Sequence, residues 1–155
     1  MLANKYTVRA GIGVAKENLS SFDKALIDAG VANYNLVRLS SILPAYCEFK
    51  DNIDLKEGSL LPTAYATITS SKEGERIASA IGIGFPDDKS KVGVIMEYSA
   101  CNATKAECKE VVRSMIHEAF QERGWKLADV ATIGAEAVVG KKEVVSTFAC
   151  VSEWW

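Results

Sequence analysis

An α+β domain is the fold class this sequence predicts, on three observations. Strand-like stretches recur along most of its length, at about 6–14, 35–39, 60–69, 76–85, 91–98, 130–139 and 143–153. Several are joined by short turn sequences, which favours antiparallel pairing. One long amphipathic helix, 104–123, carries the apolar spacing that covers a sheet face. The 155 residues suit a single domain, 1–155, with antiparallel-rich sheets and one long covering helix.

The first strand puts Tyr6, Val8, Ala10, Ile12 and Val14 on one side, with glycines at 11 and 13 between them. Ser20–Gly30 reads as a short helix. Ser20 and Asp23 have capping-box spacing, Phe22, Leu26 and Ala29 form an apolar stripe, and Gly30 suits a left-handed stop. Asn35–Leu39 is the next strand. It runs into Ser40-Ser41-Ile42-Leu43-Pro44, where the proline bends the chain, and 48–58 is a charged connection. Pro62 places itself near the start or the edge of the 60–69 strand.

The 76–85 strand alternates cleanly. Ile77, Ser79, Ile81, Ile83 and Phe85 face one way and Ala78, Ala80, Gly82 and Gly84 the other, and so small a face predicts close packing against another layer. In the long helix, Thr104 and Glu107 form a capping box. Cys108, Val111, Val112, Met115, Ile116, Ala119 and Phe120 recur at i, i+3, i+4, and Gly124 ends it. The last two strands turn over Gly140-Lys-Lys.

Composition narrows the function classes. A net charge of −2 gives no electrostatic case for nucleic acid or an anionic membrane, and no apolar run reaches the roughly 18 residues of a membrane span. A soluble cytoplasmic protein is expected. The four cysteines (Cys47, Cys101, Cys108, Cys150) are irregularly spaced, which predicts free thiols and no metal site. The glycine pairs 11/13 and 82/84 make no phosphate-cradling pattern. His117, the only histidine, falls on the flank of the long helix, which leaves little room for a serine hydrolase built on Ser40 or Ser41.

The carboxylates carry more. Glu97 interrupts the apolar strand 92–98, sharing a side with Ile95 and Gly93. It either faces solvent near a strand end or is partly desolvated, with a raised pKa that lets it hold and donate a proton. Asp23 may be read as a helix-capping charge, and Asn35 as turn chemistry. The serine pair alone is a strand end and a turn.

Taken together, Ser21–Gly30, Asn35–Pro44, Gly58–Tyr65 and Ile95–Tyr98 resemble the pyruvoyl-dependent arginine decarboxylases, with looser similarity through Arg123-Gly-Trp125 and Trp154-Trp155. The resemblance implies a layered αββα sandwich that cuts itself between Ser40 and Ser41, giving chains 1–40 and 41–155. Ser41 then becomes a covalent pyruvoyl cofactor. L-Arginine would form a Schiff base with it, lose carbon dioxide and leave as agmatine.

In this scheme Glu97 matches the proton donor, Asn35 a residue close to the pyruvoyl, and Asp23 the carboxylate that pairs with the substrate guanidinium. Adjacent helical residues point about 100° apart, which turns Lys24 away from Asp23. The family's subunits form trimers, so a homotrimer or dimer of trimers with sites between subunits is implied. The alternatives are a pyruvoyl decarboxylase of another amino acid and an uncleaved oligomeric binding protein of the same fold.

Overall fold

The computed structural model describes residues 1–155. Along the chain run β1 (Lys5–Ala15), α1 (Asn18–Ala29), β2 (Asn35–Arg38), β3 (Ile42–Leu43), β4 (Glu48–Phe49), β5 (Leu60–Ser70), β6 (Arg76–Pro86), β7 (Gly93–Cys101), α2 (Lys105–Arg123), β8 (Leu127–Val138) and β9 (Val144–Trp154). Five strands form one sheet in the order β2-β5-β9-β1-β4, and four form a second in the order β3-β7-β6-β8. The second is antiparallel throughout, while the first has parallel edges, β2 on β5 and β4 on β1. Leu43, Ala64, Ile81, Ile83, Ile95 and Val151 are among the residues packed between the sheets. With α1 on the outer face of the first sheet and α2 on that of the second, the layering is αββα.

Both helices sit on paired glycines. A Cβ on Gly11 or Gly13 would run into the backbone of α1, at the Ala25 and Ser21 carbonyls. A Cβ on Gly82 would come within 2.7 Å of Val112 Cγ1, and one on Gly84 within 2.5 Å of Ile116 Cγ2. The small face predicted for 76–85 therefore meets α2, and β6 is buried on both sides. These glycine pairs bring helix and sheet close together.

The capping of α2 follows the sequence. The Thr104 side chain accepts from Glu107 N–H, Glu107 reaches back to Thr104 N–H, and Gly124 ends the helix at φ 65°. Its apolar stripe is narrower than expected, since Val111 is 37% exposed, and His117 is exposed on the flank. The start of α1 differs from expectation. The helix begins at Asn18 with Glu17 as N-cap and no side-chain cap, so the Ser20–Asp23 box does not form. The Ser21 hydroxyl instead bonds the Asn18 carbonyl at 2.8 Å and the buried Ser146 hydroxyl at 2.7 Å. That tertiary contact with β9 sets the first turn where local capping does not. The whole of β9 is buried. Neither helix is long and apolar enough to cross a membrane.

Candidate active site

Between β2, an edge of the first sheet, and β3, an edge of the second, Leu39-Ser40-Ser41 carries the chain across the sandwich. Both ends of this crossing are tied down. Leu39 N–H donates to the Thr63 carbonyl at 3.0 Å, and Ile95 N–H donates to the Ser41 carbonyl at 2.7 Å. Ser40 is exposed and Ser41 half-buried at a bend. The Ser40–Ser41 peptide thus spans from one sheet to the other, with a hydrogen-bonded anchor on each side.

Glu97 lies two residues beyond Ile95 on β7, opposite Ile81 of β6. Beyond Ser41, β3 no longer covers this edge of β7. Arg38, at the end of β2, fills the gap. Its Nη2 donates to Glu97 Oε1 at 2.5 Å and to the Tyr65 carbonyl at 3.1 Å, and its guanidinium stands 4.4 Å from the Tyr65 ring centroid. The cleft here has a volume of about 280 Å³ and is lined by Arg38, Ala66, Thr67, Glu97, Tyr98 and Ser99. With its side chain 31% exposed, Glu97 is the partly desolvated carboxyl of the two readings open from its strand period. Burial pushes its pKa above the ordinary value, against the opposing pull of Arg38 and of a backbone hydrogen bond from Tyr65.

Asn35 and Asp23 are elsewhere in the chain. Asn35 opens β2, five residues before Ser40, roughly 16 Å along an extended strand. Its Nδ2 donates to the Gly58 carbonyl at 2.8 Å. Asp23 projects from the outer face of α1 into a shallow surface hollow shared with Leu19, Ser20, Lys24 and Ile27. Lys24 is drawn to the Val14 carbonyl, 3.2 Å from its amine. Ser41 is therefore tied to β7 two residues from Glu97, while Asn35 and Asp23 line no part of the Glu97 cleft.

Two residues escaped sequence reasoning. Arg38 was visible only as part of a motif, because its partner is 59 positions away. Glu153 is the one carboxylate in fully buried β9, 4% exposed, and its Oε1 has no hydrogen-bond partner. A lone charge in an eleven-residue apolar and hydroxyl strand was the available signal. Burial raises its pKa to about 7. Nearby Cys47 is pushed up to about 11, first by burial and then by Glu153.

Comparison with known proteins bears on this arrangement. The family model described as pyruvoyl-dependent arginine decarboxylase matches residues 5–152. A pyruvoyl-dependent arginine decarboxylase of Methanocaldococcus jannaschii is 39% identical over 154 residues, which cover 99% of this chain and 92% of the relative. One of Methanococcus vannielii is 38% identical over 152 residues, covering 98% and 91%. One of Pyrococcus abyssi is 42% identical over 135 residues, covering 86% and 84%.

Proposed function

The chain belongs to the pyruvoyl-dependent arginine decarboxylase family, and from that premise we propose that the bond joining its two sheets, Ser40–Ser41, is the one that opens to give the cofactor. The protein is an arginine decarboxylase with a covalently bound pyruvoyl group. The observation that carries the assignment of Ser41 is the anchored crossing beside Glu97. In the precursor, the Ser41 hydroxyl attacks the Ser40 carbonyl and turns the amide into an ester. Elimination then frees Ser40 as a carboxylate and leaves dehydroalanine at 41, which water converts to pyruvoyl with loss of ammonia.

The residues around Ser41 fit such a group. Its carbonyl, retained as the amide next to the new ketone, already accepts Ile95 N–H at 2.7 Å. A pyruvoyl group supplies an electron sink that takes up the electron pair left by departing carbon dioxide. Ile95 N–H stabilises the charge that develops on the Ser41 carbonyl oxygen, as a preorganised donor does. Glu97 delivers the proton to Cα of the product.

Asp23 receives the substrate guanidinium, a planar bidentate match for a carboxylate. Asn35 and Asp23 reach the Ser41 cleft from a neighbouring copy, in a homotrimer or a dimer of trimers. The apolar surface around them supports this. Leu19 (78%) and Ile27 (61%) stand exposed beside Asp23, and Leu60 (67%) and Val37 (44%) beside Asn35. A free amino-acid substrate and four unpaired cysteines fit a cytoplasmic enzyme.

Intact mass tests the assignment. Two chains are expected, 1–40 and a blocked 41–155, with a carbonyl-trapping reagent adding mass only to the second, in a sample that releases carbon dioxide from L-arginine. Decarboxylation by a wholly uncut chain would overturn the role of Ser41.

A further inference from the structure

Donating a proton requires the Glu97 carboxyl to hold one. Burial favours that form, and a guanidinium 2.5 Å away opposes it. That ion pair exists while the Ser40–Ser41 bond is intact. Cleavage changes the charge of this stretch. When the ester between the Ser40 carbonyl carbon and Ser41 Oγ eliminates, the Cα proton of 41 leaves and the Cβ–Oγ electron pair stays on oxygen. Ser40 then ends in a carboxylate whose second oxygen is the former Oγ, and water later displaces the nitrogen at 41 as ammonia.

This new anion stands two residues from Arg38. Two residues span at most about 7 Å of extended chain. Arg38 is free to respond. It uses only Nη2 for both its hydrogen bonds, to Glu97 and to Tyr65, and its side chain is 55% exposed. Ser40 is exposed as well. We infer that the carboxylate created at Ser40 draws the Arg38 guanidinium away from Glu97, so that self-cleavage both makes the cofactor and releases its proton donor. Arg38 is then a positioning residue: in the precursor it offsets part of the proton affinity that burial gives Glu97, and in the mature enzyme it leaves that carboxyl. The inference rests on cleavage at Ser40–Ser41. The other ionisable groups facing Glu97 are Tyr65 on β5 and its strand neighbour Tyr98; β6 presents Ile81 there.

NMR titration of carboxyl-labelled glutamate, with Glu97→Gln to assign the signal, reads the exchange directly. Glu97 is expected to titrate at least one pH unit higher in the mature wild-type enzyme than in the uncleavable Ser41→Ala precursor. Arg38→Met introduced into the Ser41→Ala chain should raise the Glu97 value, whereas Arg38→Met in the mature enzyme should leave it unmoved. If the latter variant fails to mature, the first two comparisons still decide. Equal Glu97 values in mature and precursor chains, or an equal response of both to Arg38→Met, would overturn the exchange. Intact mass on the same samples separates the premises. A wild-type chain that stays uncut sinks the cleavage reading and this inference together, and a cut chain with an unmoved Glu97 sinks the inference alone.

Discussion

The two ends of β2 differ in what the chain itself supplies. At the Ser40 end, the Thr63 carbonyl and Ile95 N–H anchor the chain on either side of Ser40-Ser41, while Arg38 and the Tyr65 carbonyl close around Glu97, two residues along β7 from Ile95. At the Asn35 end, the amide is held by Gly58 alone, and Asp23 stands on the far side of α1 among exposed apolar side chains. On the proposed reading, the covalent chemistry is assembled within a single chain, and recognition of the substrate's distant guanidinium is left to a surface that a second copy would cover. Bond-making demands sub-ångström positioning, which a hydrogen-bonded sheet edge provides. Holding a guanidinium tolerates a group brought in by docking.

Breaking the comparison outright means mixing defective copies. Ser41→Ala alone should abolish activity and leave one full-length chain. Co-expressed with Asp23→Asn, it should give sites with the wild-type KM for arginine, because the intact Ser41 of one copy then meets the intact Asp23 of another. Mixed oligomers showing only the raised KM of Asp23→Asn would place both ends of the site within one chain. Glu97→Gln acts at the Ser40 end only. The chain should still mature, while turnover falls roughly 10²–10⁴-fold, the usual contribution of a positioned acid; unaltered turnover in a matured variant would remove Glu97 as donor.

Asp23→Asn alone sharpens the other end. Losing a charged hydrogen-bond partner should raise KM for arginine roughly ten- to hundredfold, with a smaller change in kcat. An unchanged KM would disconnect Asp23 from the guanidinium.

The smallest effect expected lies away from both ends, at Glu153. Its pKa is raised from 4.5 to about 7, so the folded state binds this proton more tightly than the unfolded chain does. The associated stability is fully present below about pH 4.5 and is lost as pH rises towards 7. Glu153→Gln should flatten the fall in melting temperature across that window. The stabilisation above pH 7 should be about 1–3 kcal/mol. Parallel pH profiles of variant and wild type would rule this out.

Most of the fold was legible where the controlling interactions are local. The Thr104–Glu107 box and the small face of 76–85 need only neighbours along one element, and both predictions hold. The start of α1 was not legible, because the Ser21–Ser146 contact spans 125 positions. The sequence pattern alone pointed to one covering helix, whereas α1 covers the second outer face by resting on Gly11 and Gly13. At the site, strand alternation put Glu97 on the side of Ile95 but could not say what would face it. Arg38 reaches it from the other sheet. The resemblance supplied Asn35 and Asp23 as members of one constellation, and no local pattern could reveal that β2 and α1 hold them apart from Ser41.

The pairing of β1 gives the cut a last consequence. All eleven of its residues are in register with β9, and α1 is seated on its glycines. Cleavage at Ser40–Ser41, as proposed, would therefore turn a unimolecular fold into a heterodimer of fragments paired through β1. Unfolding the precursor is reversible in principle by one chain finding itself. Unfolding the mature enzyme releases two molecules, so its melting temperature gains a dependence on protein concentration. Recovery becomes an encounter reaction between 1–40 and 41–155.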